Sequence, residues 1–575
     1  MGKFTRLSEA FADTILKDGY YRDIRDLLER INKFIPDKQV FGDLDRNNEL
    51  RFHTVREVYE DVMNLGDGLV AQGLKDAHIA MVSDNCLKYI IADISVSSGV
   101  GVFVPIDADA PVESLELLLE KSDADAVMCA ARCLDRVVEA CGKCPRVKEI
   151  ITIDSKVEGH LFYDDILENG KALKDKSVYR SIKLEADAPA KILFTSGTTG
   201  ANKGVVLSNA NLAANIRNNF DVIMGKCDDT SMSVLPFHHA TEINCHIMTR
   251  LGLGQLTYIN GSMRTMMTNI KIFKPTCITI VPMIANMFHK SIWAGATKAG
   301  KADKLKKGIG LSRILRKFGI DRTHEMFKDV FEPFGGNLNM IVCGGAMLNP
   351  FVVKGMSDLG IRMENGYGIT ECGPLISLNG DPLDEYRSAG KPCPSFTVKI
   401  ESRSVDGVGE LCVKGPSVFK GYYKDEEATA QVFDDEGYFH TGDIAYLDGQ
   451  GRLILVGRKK NTIILDSGKN ISPEEVENII EVHLDYVTDV VVYAAKYGDT
   501  QKRVLCAGLY VKDEEKRRQR DAIARDIQMI NKILPTYKNI SYVELPDEEY
   551  PKTSSRKVKR TSLPVKCSGN GIKIY

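Results

Sequence analysis

A chain of 575 residues with 43% hydrophobic and 27% charged residues has an ordinary globular composition and, at roughly 150 residues per domain, length for about four folding units. Its net charge of −2 gives no global attraction to nucleic acid, and no run of about 18 apolar residues offers a membrane span. Fourteen scattered cysteines make no disulfide framework, which points to reduced thiols in a cytoplasmic protein.

The first residues, Met1-Gly2-Lys3-Phe4-Thr5-Arg6, lack the apolar stretch of a secretory signal, and Arg6 stands where a myristoylation pattern wants Ser or Thr. Leu7, Phe11, Ile15, Ile24, Leu27, Leu28 and Ile31 recur at helical spacing. From there to about residue 280, short apolar runs (79–82, 101–105, 126–128) alternate with helical patterns, which predicts parallel sheets in an α/β architecture. After about residue 385 the runs at 410–413 and 453–456 are separated by Gly- and Asp-rich turns, so a smaller β-rich subdomain is expected over 385–457. A boundary falls near 458–461. Beyond it a compact α+β unit opens with Ser472-Pro473-Glu474-Glu475, an N-cap, a proline at the first helical position and an acid three residues after the cap. Strands at 490–493 and 505–511 and a helix near 515–533 follow.

Four segments carry chemistry. Thr195, Ser196, Gly197, Thr198, Thr199, Gly200, Ala201, Asn202, Lys203 and Gly204 follow the apolar run 192–194. Glycines let backbone N–H groups close on phosphate oxygens, hydroxyls add neutral donors, and Lys203 adds a mobile cation. The spacing is not that of a Walker loop, and a plain surface loop is the competing reading. In Asn365-Gly366-Tyr367-Gly368-Ile369-Thr370-Glu371, Tyr367 between two glycines suits a purine face, Thr370 a phosphate oxygen, and Glu371 a Mg²⁺ ion; a strand-to-loop turn reads equally well. In 438–443, Asp443 after Gly442 is placed to accept from ribose hydroxyls, although an Asx turn explains it too. The run 551–560 is basic and by itself reads as a solvated tail.

Together and in this order the four segments resemble the adenylate-forming superfamily of acyl-CoA synthetases, firefly luciferase and peptide-synthetase adenylation domains, over about residues 50 to 565. The stretches 235–242, 457–464 and 468–474 are most similar to bacterial medium- and long-chain fatty acyl-CoA synthetases. The resemblance implies a large N-terminal α/β domain over 1–457, with two stacked doubly wound sheets and a small β-barrel subdomain, a hinge at 458–462 and a mobile α+β domain over 463–575. It implies that Gly344, Gly345 and Ala346 line the adenine pocket, with Asn365 on the base edge and Tyr367 on its face. Asp443 and Arg458 would hold the ribose, Thr370 the α-phosphate, and Glu371 the Mg²⁺. His239 would lie beside the reacting carboxylate, Lys557 would reach in from the small domain, and Lys460 would be the pivot. The implied activity is ATP-dependent activation of a fatty acid as acyl-AMP and its transfer to CoA. Loading of a carrier protein's phosphopantetheine (an acyl-ACP synthetase) is the near alternative, and a non-catalytic nucleotide-binding scaffold the distant one.

Two positions depart from the family's pattern. Asn202 replaces the usual proline before Lys203, and Arg556 the usual glycine before Lys557. His238-His239 and the cysteines at 129, 133, 141 and 144 have spacings that invite a zinc reading, against which stands plain reduced thiol chemistry. Residues 298–322 hold nine Lys/Arg against two Asp with interleaved apolar positions, which suits either a solvated insertion or a basic amphipathic helix touching an anionic membrane or an acidic carrier.

Overall fold

The computed structural model describes the chain except residues 1–13, 18, 46, 197–201, 224–228, 381–384, 403–406, 466–469, 498–502, 552–557, 559, 561–562, 565, 568–569 and 575. Two large sheets carry the α/β part, as the alternating apolar runs predict. One has seven strands in the order Leu161–Phe162, Glu149–Thr152, Ala126–Cys129, Ala77–Val82, Gly101–Ile106, Pro189–Ser196, Asn202–Ser208. All its neighbours are parallel except the last pair, a hairpin. The other has nine strands, parallel through its middle and antiparallel at both ends, and contains Cys277–Ile280, Met340–Cys343 and Arg362–Gly368 as consecutive parallel neighbours. One apolar core that includes Phe41, Phe103, Leu193 and Ile376 joins the two sheets.

The buried face of this core is not all apolar. Lys191, in the seven-stranded sheet, donates to Asp93 Oδ2 at 2.7 Å and to Asn244 Oδ1 at 2.9 Å, with Lys191 and Asp93 both fully buried. The pair ties that sheet to the helical segment Thr241–Ile247, which borders the site described below. The helix Asn209–Val222 starts in a reciprocal capping box of Ser208 and Asn211, and Asn211 Nδ2 then donates to the carbonyls of Pro416 and Val418. Loop 416–418 is thereby fixed against the same region.

The β-rich subdomain is an antiparallel sheet of Thr397–Glu401, Gly409–Lys414, Phe439–Leu447 and Leu453–Arg458 in sequential order. Among the described residues its first and last strands do not pair, so it is an open sheet and not the small barrel expected. Four strands with the ordinary twist do not close a ring; about eight leave an interior that side chains just fill.

Beyond it, Asp489–Lys496, Arg503–Tyr510, Tyr542–Glu544 and Ile572–Lys573 form a separate sheet, packed with the helices Pro473–His483 and Arg520–Ile533 around their own core. The helix expected near 515–533 is broken in two, with a short piece at Glu514–Arg518. Pro473 does begin its helix. Ser472, however, donates to Glu474 Oε2 at 3.0 Å instead of capping the backbone, and Glu475 is drawn away to Lys538. The anticipated capping box is therefore not made, because a nearer carboxylate and a tertiary cation compete for its two members.

Candidate active site

The described ends of the Gly- and hydroxyl-rich segment lie in the antiparallel pair Pro189–Ser196 and Asn202–Ser208 at the edge of the seven-stranded sheet. Thr195 faces Lys203 and Ser196 faces Asn202 across the ladder; Gly197, Thr198, Thr199 and Gly200 lie outside the described residues. Lys203 Nζ sits 4.7 Å from the centre of the Tyr422 ring. The Tyr422 hydroxyl donates to Glu371 Oε1 at 3.0 Å. One tyrosine thus holds the lysine of the hairpin and the candidate metal ligand side by side. The neighbouring Tyr423 N–H donates to Gly204 O at 2.7 Å, which docks the 421–423 loop on the hairpin. Asn202 offers its carbonyl to Lys121 Nζ at 3.2 Å.

The strand Arg362–Gly368 presents the second segment. Asn365 Nδ2 donates to the Ser388 carbonyl at 3.0 Å, and the Tyr367 hydroxyl donates to Asp443 Oδ2 at 2.7 Å. Asp443 pairs in register with Arg458, whose Nε lies 2.8 Å from Asp443 Oδ1. Three residues far apart in sequence, Tyr367, Asp443 and Arg458, therefore form one chain of contacts. Gly344, Gly345, Gly366, Tyr367 and Gly368 are among the residues that line one cleft. Gly345 has φ +84°, a conformation that glycine adopts without strain, and Ala346 beside it is exposed.

Thr370 and Glu371 follow in a single 3₁₀ turn, Thr370–Cys372. Burial pushes the Glu371 carboxyl above the ordinary carboxylate range; the Tyr422 hydroxyl and Arg458 pull it back, and Asp443 pushes further. A half-buried hard-oxygen donor such as Glu371 is of the kind that suits Mg²⁺, which takes one or two carboxylates and completes its shell with phosphate oxygens and water. Because the raised group stays protonated to higher pH and a metal needs the ionised form, the acid limb of activity is expected to lie above the usual carboxylate range and to vanish in Glu371→Gln. The pH profile of kcat/KM for ATP, which reports the free enzyme, checks this; the same limb in the variant would exclude Glu371 as its source.

His239 opens the Thr241–Ile247 segment, its carbonyl accepting from Glu242 N at 3.0 Å. Its ring lies 4.2 Å from that of His238. Burial lowers His238 to about 4, so that ring is neutral at ordinary pH. Asn85, which the sequence reading missed, clamps this loop from the other sheet by donating to Leu235 O at 2.8 Å and accepting from Phe237 N at 2.8 Å.

Lys557 and Arg556 lie outside the described residues. Lys460 occupies an exposed 3₁₀ turn, Lys459–Asn461, directly after the strand that carries Arg458. The four cysteines at 129, 133, 141 and 144 do not converge on a metal position: Cys133 Sγ donates to Ala108 O and Cys144 Sγ to Glu116 O. Among the described residues the one group within ligating reach is Glu401, Cys412 and His440, in the open antiparallel sheet. Two lysines already neutralise carboxylates around it, Lys459 on Glu410 and Lys399 on Asp434.

The site thus combines an α/β body, a hairpin that carries Lys203, a half-buried Glu371 and a paired Asp443 and Arg458. Residues 28–423 match the AMP-binding enzyme family and residues 460–567 match the AMP-binding enzyme C-terminal domain, and the chain belongs to that family. It is 28% identical over 497 residues to long-chain-fatty-acid–CoA ligase 6 of Mus musculus, covering 80% of this chain and 69% of that protein. It is 29% identical over 447 residues to the peroxisomal long chain acyl-CoA synthetase 6 of Arabidopsis thaliana, covering 72% and 63%. In fold it is similar to the adenylation domain of a carboxylate reductase from Mycobacterium chelonae (TM-score 0.79, 19% identity, 97% of this chain and 92% of that one). It is also similar to the anthranilate CoA ligase AuaEII in complex with anthranoyl-AMP (TM-score 0.77, 17% identity, 94% and 96%).

Proposed function

We propose that this protein activates a fatty acid with ATP as the acyl-adenylate and passes the acyl group to CoA. The observation that carries the reading is the grouping of Lys203 with Glu371 through Tyr422, and of Tyr367 with Asp443 and Arg458, the two sets linked by the charges of Arg458 and Asp443 on Glu371, beside a cleft that Tyr367 lines. The substrate carboxylate attacks the α-phosphorus of ATP, pyrophosphate leaves, the CoA thiol attacks the acyl carbonyl, and AMP leaves. Attack brings negative charge to negative charge, so positioning and cationic clamps do most of the work. Asp443 and Arg458 hold the ribose, Asn365 and Tyr367 the base, and the 195–203 hairpin the outer phosphates. Thr370 donates to the α-phosphate, His239 stands beside the acid's carboxylate, and Lys557 neutralises carboxylate and α-phosphate together. Mg²⁺ held by Glu371 supplies charge neutralisation on the phosphates. Lys460 is the pivot between a domain over 1–457 and a mobile one over 463–575, so that Lys557 withdraws before thiol attack. ATP–pyrophosphate exchange across a panel of carboxylates tests the reading. Exchange with fatty acids is expected; exchange with aryl or amino acids alone would remove the substrate class. A phosphopantetheine carrier serving where CoA does not would move the acceptor.

The protein works at an anionic membrane surface. No helix among the described residues is long and apolar enough to cross a membrane. Support for surface contact comes from the helix Ala302–Lys317 and its C-cap, Phe318. Leu305, Ile309 and Ser312 face inward, and Arg313 and Arg316 pin the helix to Asp358 and Ser357. On the outward face Lys304, Lys307, Leu311, Ile314 and Phe318 follow one another at three- and four-residue spacing, and the last three are 52%, 56% and 77% exposed. Apolar side chains this open beside lysines match the acyl–headgroup boundary of an anionic bilayer. Sedimentation with vesicles containing phosphatidylglycerol is expected, with little on pure phosphatidylcholine, and Leu311→Glu with Phe318→Glu should cut binding by about tenfold or more. Equal sedimentation with both vesicle types would contradict it.

A further inference from the structure

The cleft lined by Gly344, Gly345 and Tyr367 has a largely apolar wall that includes Ile223, Val342, Pro374, Leu375 and Leu378, and on the acyl-activation reading it takes the acyl chain. Asn219, Thr241 and Thr279 break that pattern with neutral groups, and Arg250 and His246 with ionisable ones. Arg250, in the helix Met248–Gly252, lines the cleft yet is only 1% exposed. Its guanidinium donates to two neutral groups, Gln255 Oε1 at 2.6 Å and Cys277 Sγ at 3.2 Å, and among the described residues no carboxylate forms an ion pair with it. The buried carboxylate of Glu364 is paired to Arg362 at 2.9 Å and also feels the charge of Arg250 from farther away. His246, one helical turn before Arg250, also lines the cleft and is 3% exposed. Its Nδ1 lies 2.8 Å from Glu242 Oε1, while Nε2 is buried with no hydrogen-bond partner among the described residues.

A pocket meant only for methylene groups would leave His246 Nε2 facing hydrocarbon, and a polar group buried without a partner is costly. Arginine presents a planar fork matched to a carboxylate, and Gln255 and Cys277 hold that fork from behind. We infer that Arg250 and His246 form a polar subsite for a second carboxyl group carried by the acid substrate, away from the carboxylate that is activated, so that the enzyme takes dicarboxylic acids in preference to plain alkyl acids. The inference rests on the acyl-activation reading and narrows its substrate class.

The test is a matched panel at six, eight and ten carbons: monoacid, ω-hydroxy acid and α,ω-dicarboxylic acid at each length, by pyrophosphate exchange with wild type and Arg250→Met and by calorimetric binding of each acid to wild type. At one length at least, the dicarboxylic acid is expected to exceed its monoacid by about tenfold or more in kcat/KM, because a site built around buried polar groups rejects a ligand that leaves them unpaired. Arg250→Met should remove or invert that ratio. Monoacids ahead at every length in both assays would overturn the inference, and the wild-type panel decides this even if the variant does not fold. No exchange with any acid, with octanedioate still bound more tightly than octanoate, would sink the acyl-activation reading while leaving the subsite in place.

Discussion

Lys557→Ala is expected to lower pyrophosphate exchange by on the order of 10²–10³, the usual loss when one preorganised charge-stabilising group is removed. ATP affinity, measured by calorimetry, should stay within a few-fold. The reasoning is electrostatic. The attacking carboxylate and the α-phosphate are both anionic, and a lysine delivered by a second domain acts only when that domain is closed. The loss therefore belongs in kcat, with little change in the KM for ATP. A variant that loses ATP binding and catalysis together would place Lys557 in the ground-state nucleotide site. Wild type that binds ATP tightly with no exchange for any acid would favour the scaffold reading, to which the replacements at Asn202 and Arg556 lend their only support.

The second large effect is at Asp443. Its two oxygens take the Tyr367 hydroxyl at 2.7 Å and Arg458 Nε at 2.8 Å, and it is 6% exposed. Asp443→Ala strips the buried tyrosine of its acceptor, which costs about 1–3 kcal/mol of stability, and removes the proposed ribose contact. A hydrogen bond to a charged group is worth about 1.5–3 kcal/mol, so ATP affinity should fall by roughly 10- to 150-fold. Tyr367→Phe separates the two parts, since it keeps Asp443 and Arg458 but not the hydroxyl. It is expected to change ATP affinity much less, as read by titration calorimetry. Equal losses in the two variants would show that Tyr367, not the carboxylate, shapes the nucleotide corner.

What the sequence made legible was local chemistry. The apolar runs at 79–82, 101–105 and 126–128 became neighbouring parallel strands because buried strands must be apolar on both faces. Thr370, Glu371 and Asp443 stood out in glycine-framed or carboxylate-bearing motifs, while Gly345 and Arg458 came only from the family resemblance. Tertiary choices were less legible. Tyr422, which links Lys203 to Glu371, lies in an ordinary-looking run, and only folding puts it between them. Asn85 clamps a loop 150 residues away, and no local pattern marks it. Arg250 sits in a stretch whose polarity means little until the cleft is seen. The capping box at Ser472 failed for the same reason: a rule about one helix end was outcompeted by contacts from elsewhere in the fold.

The most direct test of carboxylate activation follows an oxygen atom. A fatty acid labelled with ¹⁸O in its carboxyl group is incubated with ATP, Mg²⁺ and CoA, and the nucleotide product is weighed by mass spectrometry. Attack on the α-phosphorus followed by thiol attack at the carbonyl leaves one carboxylate oxygen on the nucleotide. AMP carrying one ¹⁸O per thioester formed is the predicted result. Unlabelled AMP, or ADP with the label in inorganic phosphate, would contradict an acyl-adenylate intermediate.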